Sequence, residues 1–217
     1  MNIKIFAFNP LEVNTYVLSD ETGECIVIDP ASLYAGEREQ LLSYLQDSGF
    51  KVRHLLLTHL HFDHVPGVNL LVSRFGAPAW CHPDDLFLLD SMAGQMQAFF
   101  GLPDGGEAGH TPEISGRLSD GDTVTFGNQS IKVLHTPGHS PGSVIYYNEA
   151  EGCLFSGDLL FRSGVGRTDL PGGSFGDLTD SLKSKIFTLP DATVVYPGHG
   201  PATTVGFEKR NNPFVGR

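Results

Sequence analysis

The chain has 217 residues, with 14 basic and 25 acidic side chains and a formal charge of −11. Apolar residues make up 40% of it and charged ones 18%, which is a globular rather than a disordered composition with material for one sizeable core. The acidic balance argues against a nucleic-acid binder, whose surface must be basic. No apolar run approaches the roughly 20 residues that span a bilayer. Met1–Ile5 lacks the charged-then-apolar layout of a signal peptide, so a cytoplasmic protein without membrane partners is expected. Cys25, Cys81 and Cys153, odd in number and far apart, form neither a disulfide framework nor a paired redox motif.

In chain order, Ile3–Phe8 alternates as a strand and stops at Asn9-Pro10. Thr15–Leu18 and Cys25–Ile28 read as two more strands, joined by a connection containing Gly23. Glu37–Ser48 carries Leu41, Leu42, Tyr44 and Leu45 at helical spacing, with Gly49 as the stop. Val52–Leu57 is a short apolar strand, Val65–Phe75 a helix ended by Gly76, and Ala79–His82 another strand. Pro83 suits a first helical turn, so Asp84–Phe100 reads as a helix interrupted at Gly94. Gly101–Ser119 is a Gly- and Pro-rich loop. Strands follow at Thr123–Phe126, Ile131–His135, Ser143–Tyr147 and Cys153–Phe155, then a helix at Phe175–Thr188 and a strand at Thr193–Tyr196. This order predicts a four-layer αββα sandwich, two sheets within and helices outside.

The chain has nine histidines, and five of them fall in three compact motifs. The first is Thr58-His59-Leu60-His61-Phe62-Asp63-His64, directly after a predicted strand. Residues two apart do not share a helix face, so only a loop leaving a strand can aim His59, His61, Asp63 and His64 at one point. Imidazole and carboxylate are donors that suit zinc, iron or manganese. The others share a kernel, Pro137-Gly138-His139 and Pro197-Gly198-His199, each after a strand. Ser156-Gly157-Asp158 places a carboxylate at a further strand end.

The set HxHxDH, with His139 75 residues beyond His64, Asp158 another 19 on and His199 another 41 on, resembles the metallo-β-lactamase superfamily. The resemblance covers nearly the whole chain and implies the αββα fold. It also implies two divalent ions, zinc first, with iron or manganese as alternatives. His59, His61 and His139 match the ligands of one ion, Asp63, His64 and His199 those of the second, and Asp158 the bridging carboxylate. Asp63 and Asp158 are accordingly expected to be catalytic. Asp29, in Ile28-Asp29-Pro30, matches a carboxylate that orients a ligand imidazole.

Departures narrow the reaction. The best-known β-lactamases of the superfamily have Cys or Ser where Asp158 stands. Flavodiiron members put Glu at His61, and RNA-processing members usually insert a further domain. Hydroxyacylglutathione hydrolases (glyoxalase II), persulfide dioxygenases and acyl-homoserine lactonases keep the full ligand set. The loop Asp158–Ser174 resembles the glyoxalase II-like group, with Arg167 and Asp169 roughly where a Lys and a Tyr hold glutathione. Gly166-Arg167-Thr168-Asp169 also resembles persulfide dioxygenases. Only 18 residues follow His199, so residues 1–217 are expected to be one domain without the helical glutathione-binding domain of full-length glyoxalase II.

The resemblance therefore implies a metal-dependent thioester hydrolase acting on a small acyl-thiol such as S-D-lactoylglutathione. The alternatives are a mononuclear iron persulfide dioxygenase, a lactone hydrolase, or a metal-binding scaffold without turnover. Arg167 is expected to hold a substrate carboxylate. Tyr16 is expected to pack in the core or at its rim. His54, His82, His110 and His135 are expected to be structural or solvated, His54 and His82 without ligand-like partners.

Overall fold

The computed structural model describes residues 1–102 and 110–215. Two six-stranded sheets form the centre. The first runs β1 (Asn2–Phe8), β2 (Val13–Ser19), β3 (Glu24–Ile28), β4 (Lys51–Leu56), β5 (Ala79–Cys81), β6 (Gly116–Arg117), antiparallel up to β3 and parallel beyond it. The second contains β7 (Thr123–Phe126), β8 (Gln129–His135), β9 (Val144–Asn148), β10 (Cys153–Gly157), β13 (Val194–Pro197) and β14 (Thr203–Thr204). Its order is β14-β13-β10-β9-β8-β7. A small hairpin, β11 (Leu160–Phe161) and β12 (Gly164–Val165), stands apart from both.

Side-chain alternation explains why the strands read as continuous apolar runs, since both faces of each sheet are covered. Val17, Cys25 and Val27 face outward onto α1 (Ala35–Asp47), α2 (Val68–Phe75) and α3 (Met92–Phe100), through Leu41, Leu45, Leu71 and Met96. Their neighbours Leu18, Ile26 and Ile28 face inward against Phe126, Val133, Tyr146 and Phe155 of the second sheet. Ile145, Leu154 and Val195 pack outward against α4 (Phe175–Ser181), the turn that follows it and α5 (Val205–Asn211), through Leu178, Leu182 and Val205. Helix, sheet, sheet, helix is the predicted αββα sandwich. The three cysteines lie buried in these layers with their thiols pushed up by burial, to about 12 for Cys25 and Cys81 and about 11 for Cys153. Among the described residues no helix is long and apolar enough to cross a membrane.

Several boundaries differ from the sequence reading. The helix predicted from Val65 starts at Val68, because Gly67 packs so tightly on Pro30 and Ser32 that a Cβ there would lie 2.6 Å from Ser32 Oγ. Residues Pro83–Ser91 form a 3₁₀ helix and only Met92–Phe100 is α-helical. The predicted helix Phe175–Thr188 is α4 continued by a π turn over Leu182–Ile186. The predicted loop Gly101–Ser119 holds the short edge strand β6, and residues 103–109 of it lie outside the described residues. The β11–β12 hairpin, β14 and α5 add to the elements that the sequence pattern predicts.

Strand direction brings the motifs together. The strands β3 and β4 are parallel, and so are β10 and β13. Strand β8 lies two antiparallel steps from β10 and so points the same way. The C-terminal ends of all five strands therefore open on one edge of the sandwich, carrying Asp29, the 58–64 loop, His139, Asp158 and His199.

Candidate metal centre

Thr58–His64 leaves β4 as an irregular loop, so its side chains converge as no helix would allow. Asp29, at a left-handed φ of 47°, anchors it. One carboxylate oxygen accepts from Thr58 N (2.8 Å), and the other accepts from Thr58 Oγ1 (2.6 Å) and lies 3.0 Å from His64 Nδ1. Thr58 Oγ1, having donated to Asp29, is left to accept from His59 Nδ1 at 3.0 Å. On the far side of the loop, Asn9 Nδ2 donates to Asp63 O at 3.0 Å.

The two histidines outside this loop have main-chain anchors. His139 Nδ1 lies 2.8 Å from Arg167 O, and His199 Nδ1 lies 2.7 Å from Leu11 O. A hydrogen bond to the outer ring nitrogen sets the tautomer and leaves the inner nitrogen as a lone pair. His59, His64, His139 and His199 all follow this rule. His61 differs: its Nδ1 faces inward, 2.8 Å from His139 Nε2, and its Nε2 is buried without a partner among the described residues.

The inward atoms fall into groups whose members lie within 4.8 Å of one another: His59, His61 and His139 in one, Asp63, His64 and His199 in another. Asp158 stands between them. Its Oδ1 is 3.4 Å from His64 Nε2, and its Oδ2 is 3.6 Å from His139 Nε2 and 3.4 Å from His199 Nε2. A Cβ on Gly198 would run into Asp158 Oδ1 and His64 Cε1, so the Pro-Gly-His turn needs its glycine for close approach. Tyr16 OH donates to Pro197 O at 2.5 Å, steadying that turn while its ring packs edge-on against Phe155, the core role expected of it.

Electrostatically the two groups differ. Burial and the neighbouring imidazoles keep His59 well below its ordinary pKa, and burial with His139 lowers His61 to about 3. Burial also opposes charge on His64 and His199, but there Asp158 and Asp63 prevail, holding His64 well above its ordinary value and His199 at about 9. Against burial, His64 and His199 hold the Asp63 and Asp158 carboxyls low. Three inward polar atoms, His59 Nε2, His64 Nε2 and Asp158 Oδ1, are buried without a hydrogen-bond partner among the described residues. Leaving such atoms unpaired costs about 1–3 kcal/mol each, so this donor set fits divalent cations.

A cavity of about 320 Å³ opens above the cluster, floored by His61, Asp63, His139, Asp158 and His199. Its wall is mainly apolar: Leu11, Phe62, Phe99 and Leu170, with Gln95 and Arg167. The Arg167 guanidinium lines it but is forked onto Asp169, with Nε–Oδ1 and Nη2–Oδ2 both 2.7 Å. A substrate carboxylate would compete with Asp169 for that edge.

Sequence reasoning missed three supports. Two are the carbonyls of Leu11 and Arg167, which have no side-chain signature. The third is Asp85, a fully buried carboxylate touching two of the loops. His82 and His135 are not isolated either. Their rings stack at 4.0 Å and His82 Nδ1 accepts from Asp84 N to cap the 3₁₀ helix, a structural role as expected. But His82, Asp84 and His135 offer donor atoms within 4.8 Å of one another, which corrects the expectation that His82 lacks ligand-like partners. His54 packs on Trp80 at 4.6 Å.

A four-layer αββα sandwich with paired His and Asp clusters at one edge is the build of a metallo-hydrolase. The chain belongs to the metallo-beta-lactamase superfamily, whose family model matches residues 8–199. Over its length it is 34% identical to the hydroxyacylglutathione hydrolase GloC of Haemophilus influenzae, covering 99% of this chain and 98% of the relative. It is 36% identical to the "Probable metallo-hydrolase YqgX" of Bacillus subtilis, covering 95% and 93%. Among solved structures, BLEG-1, a B3 metallo-beta-lactamase, aligns with a TM-score of 0.87 at 36% identity, covering 99% of both chains. TTHA1623 in a di-iron-bound form aligns at 0.84 and 41%, covering 97% and 99%. ETHE1 from Myxococcus xanthus aligns at 0.79 and 29%, covering 99% and 84%.

Proposed function

We propose that the chain is a two-ion thioester hydrolase that cleaves small acyl-thiols, S-D-lactoylglutathione among them, to the carboxylic acid and the free thiol. The observation that carries this reading is the paired anchoring of the imidazoles. Four of the five have their outer nitrogen tied to an acceptor, so their inner nitrogens face Asp63 and Asp158 in two adjoining groups. His59, His61 and His139 would hold one ion, Asp63, His64 and His199 the second, with Asp158 shared. Zinc suits these donors, and so do iron and manganese. Bound there, divalent ions supply Lewis acidity and water activated near neutral pH.

The chain's own residues supply the rest. Asp63, on the cavity floor, would spend Oδ2, 3.6 Å from His199 Nε2, on the second ion, leaving its other carboxylate oxygen to orient the attacking water. Leu11, Phe62, Phe99 and Leu170 receive the apolar parts of the substrate and thin the water around its carbonyl. The departing thiolate is a weak base, near pKa 8.5 for an ordinary thiol, so no strong general acid is needed. The site accordingly offers acceptors and ligands where a nucleophilic Ser or Cys would otherwise stand. The relationship to hydroxyacylglutathione hydrolase GloC supports the substrate class.

A second reading, a mononuclear iron persulfide dioxygenase, is favoured by Gly166-Arg167-Thr168-Asp169, whose Arg–Asp fork is formed at the cavity wall. The two are separated by assaying S-D-lactoylglutathione hydrolysis beside glutathione-persulfide-dependent oxygen uptake, with a β-lactam as a third substrate, on protein of measured metal content. Thioester turnover with two ions per chain is expected. Oxygen uptake with one iron per chain would overturn the hydrolase.

A further inference from the structure

Asp85 lies in the first turn of the 3₁₀ helix Pro83–Ser91, beyond the end of β5, with 0% of its surface exposed. Its carboxylate is filled by donors from two other loops. Oδ2 accepts from Leu60 N (3.1 Å) and Ser140 Oγ (2.7 Å), and Oδ1 accepts from Gly142 N (2.6 Å). Leu60 lies between His59 and His61, and Ser140 follows His139. Among the described residues no Lys or Arg forms an ion pair with it. A buried carboxylate without a counter-ion is costly, and three neutral donors only partly repay the cost. An amide or an apolar side chain would be cheaper there unless an acceptor, facing both loops at once, serves a purpose.

The contacts are also built for closeness. A Cβ on Gly142 would lie 2.7 Å from Asp85 Cγ and 2.7 Å from its backbone nitrogen, so the 139–143 turn approaches Asp85 only because residue 142 is glycine. Ser143 Oγ completes the turn, accepting from Ser140 N at 3.1 Å and lying 2.7 Å from Ser140 Oγ. None of these bonds reaches the other half of the centre. His64 is oriented by Asp29 and His199 by Leu11 O.

We infer that Asp85 is a positioning residue that splices the His59–His61 loop to the His139 turn, and so sets the affinity of one metal position, that of His59, His61 and His139, without setting the other. The inference rests on the two-ion reading. Its physical basis is that the three imidazoles come from two chain segments more than 70 residues apart, joined at one end by Val144 N donating to Thr58 O (2.8 Å) and bridged beside the ligands themselves by Asp85. His61 Nδ1 and His139 Nε2, 2.8 Å apart, are the pair most exposed to any drift between the segments. Replacing a partner of this kind typically weakens metal affinity about 10–100-fold.

The test is a zinc titration of the full, metal-stripped chain and of three variants, with zinc per chain and stepwise affinities read by calorimetry and elemental analysis. Asp85→Ala removes every acceptor. Asp85→Asn keeps the volume but turns an N–H toward either Leu60 N or Gly142 N, a donor facing a donor in both orientations. Ser140→Ala removes a single donor and guards against a variant that fails to fold. Wild type is expected to take two zinc ions. In both Asp85 variants one binding step should weaken by 10–100-fold while the other stays within about threefold, and Ser140→Ala should move the same step by less. Folded Asp85→Asn that binds two ions as wild type does would overturn the inference, reducing Asp85 to a space-filler. Equal weakening of both steps in Ser140→Ala or in folded Asp85→Asn would overturn it too. If wild type itself takes fewer than two zinc ions, the two-ion reading fails and the inference falls with it, and that result appears in the wild-type arm alone.

Discussion

The floor and the wall of the cavity are built on opposite principles. On the floor every outward atom of His59, His64, His139 and His199 is tied to an acceptor, and Asp29, the carboxylate that holds His64, also accepts from Thr58 N and Thr58 Oγ1. On the wall Phe99 is 62% exposed and stacks on its wall neighbour Phe62 at 5.0 Å, and the Arg167 guanidinium is forked onto its neighbour Asp169. The contrast teaches where reaction and specificity reside. The floor fixes a donor geometry that changes of substrate would leave intact, whereas the wall can be rebuilt by single substitutions at little cost to the fold. It also explains how relatives with such different names share the framework.

The comparison is broken most directly by emptying the floor. A chain carrying both His139→Ala and Asp158→Ala should keep its circular dichroism spectrum, lose bound metal, and lose at least about 10³-fold in kcat/KM for S-D-lactoylglutathione. Undiminished turnover in that variant would mean that the floor is not the reaction centre. Stripping the ions with a chelator should abolish turnover reversibly and lower Tm, because ligand present at 100 times its Kd stabilises by about 2.7 kcal/mol. An unchanged melting curve would show that the fold does not depend on the cluster being filled.

Smaller effects sharpen the contrast. Asp29→Ala frees the outer nitrogen of His64 and the Thr58 hydroxyl, and metal affinity should fall about 10–100-fold in equilibrium dialysis. On the wall, Phe99→Ala should raise KM by about three- to tenfold with kcat and Tm nearly unchanged, since an aromatic contact contributes about 0.5–1.5 kcal/mol. A collapse of kcat instead would place Phe99 with the floor. Arg167→Ala tests the smallest effect. It breaks an exposed pair with Asp169, so Tm should hold, and the KM values for a carboxylate-bearing and a neutral thioester should shift alike. A selective loss for the carboxylate-bearing one would show that the guanidinium leaves Asp169 to bind substrate.

What was legible in the sequence follows the same divide. His59, His61, Asp63 and His64 are consecutive enough to be seen, and His139 and His199 carry matching Pro-Gly-His turns. Each stands at a strand end, and strand direction alone brings strand ends to one edge. Asp29, just past the end of the predicted strand Cys25–Ile28, was legible through the family resemblance. Asp85 was not. It sits beside Asp84 at the start of a helical segment, where two acidic residues read as an ordinary complement to the helix dipole. The carbonyls of Leu11 and Arg167 could not be read from any side chain, and the stack of His82 on His135 joins residues 53 apart in the chain. The helix expected from Val65 lost its first turn to Pro66-Gly67, where packing on Pro30 decided against the helical period.

The central claim is that two ions, held by seven side chains of this edge, make the chain a thioester hydrolase. The most direct test is to add zinc in fractions of an equivalent to metal-stripped protein while following S-D-lactoylglutathione hydrolysis. The account predicts that the rate climbs until two equivalents per chain are bound and then stays level. A rate already maximal without added zinc, or no hydrolysis after two equivalents are bound, would contradict it.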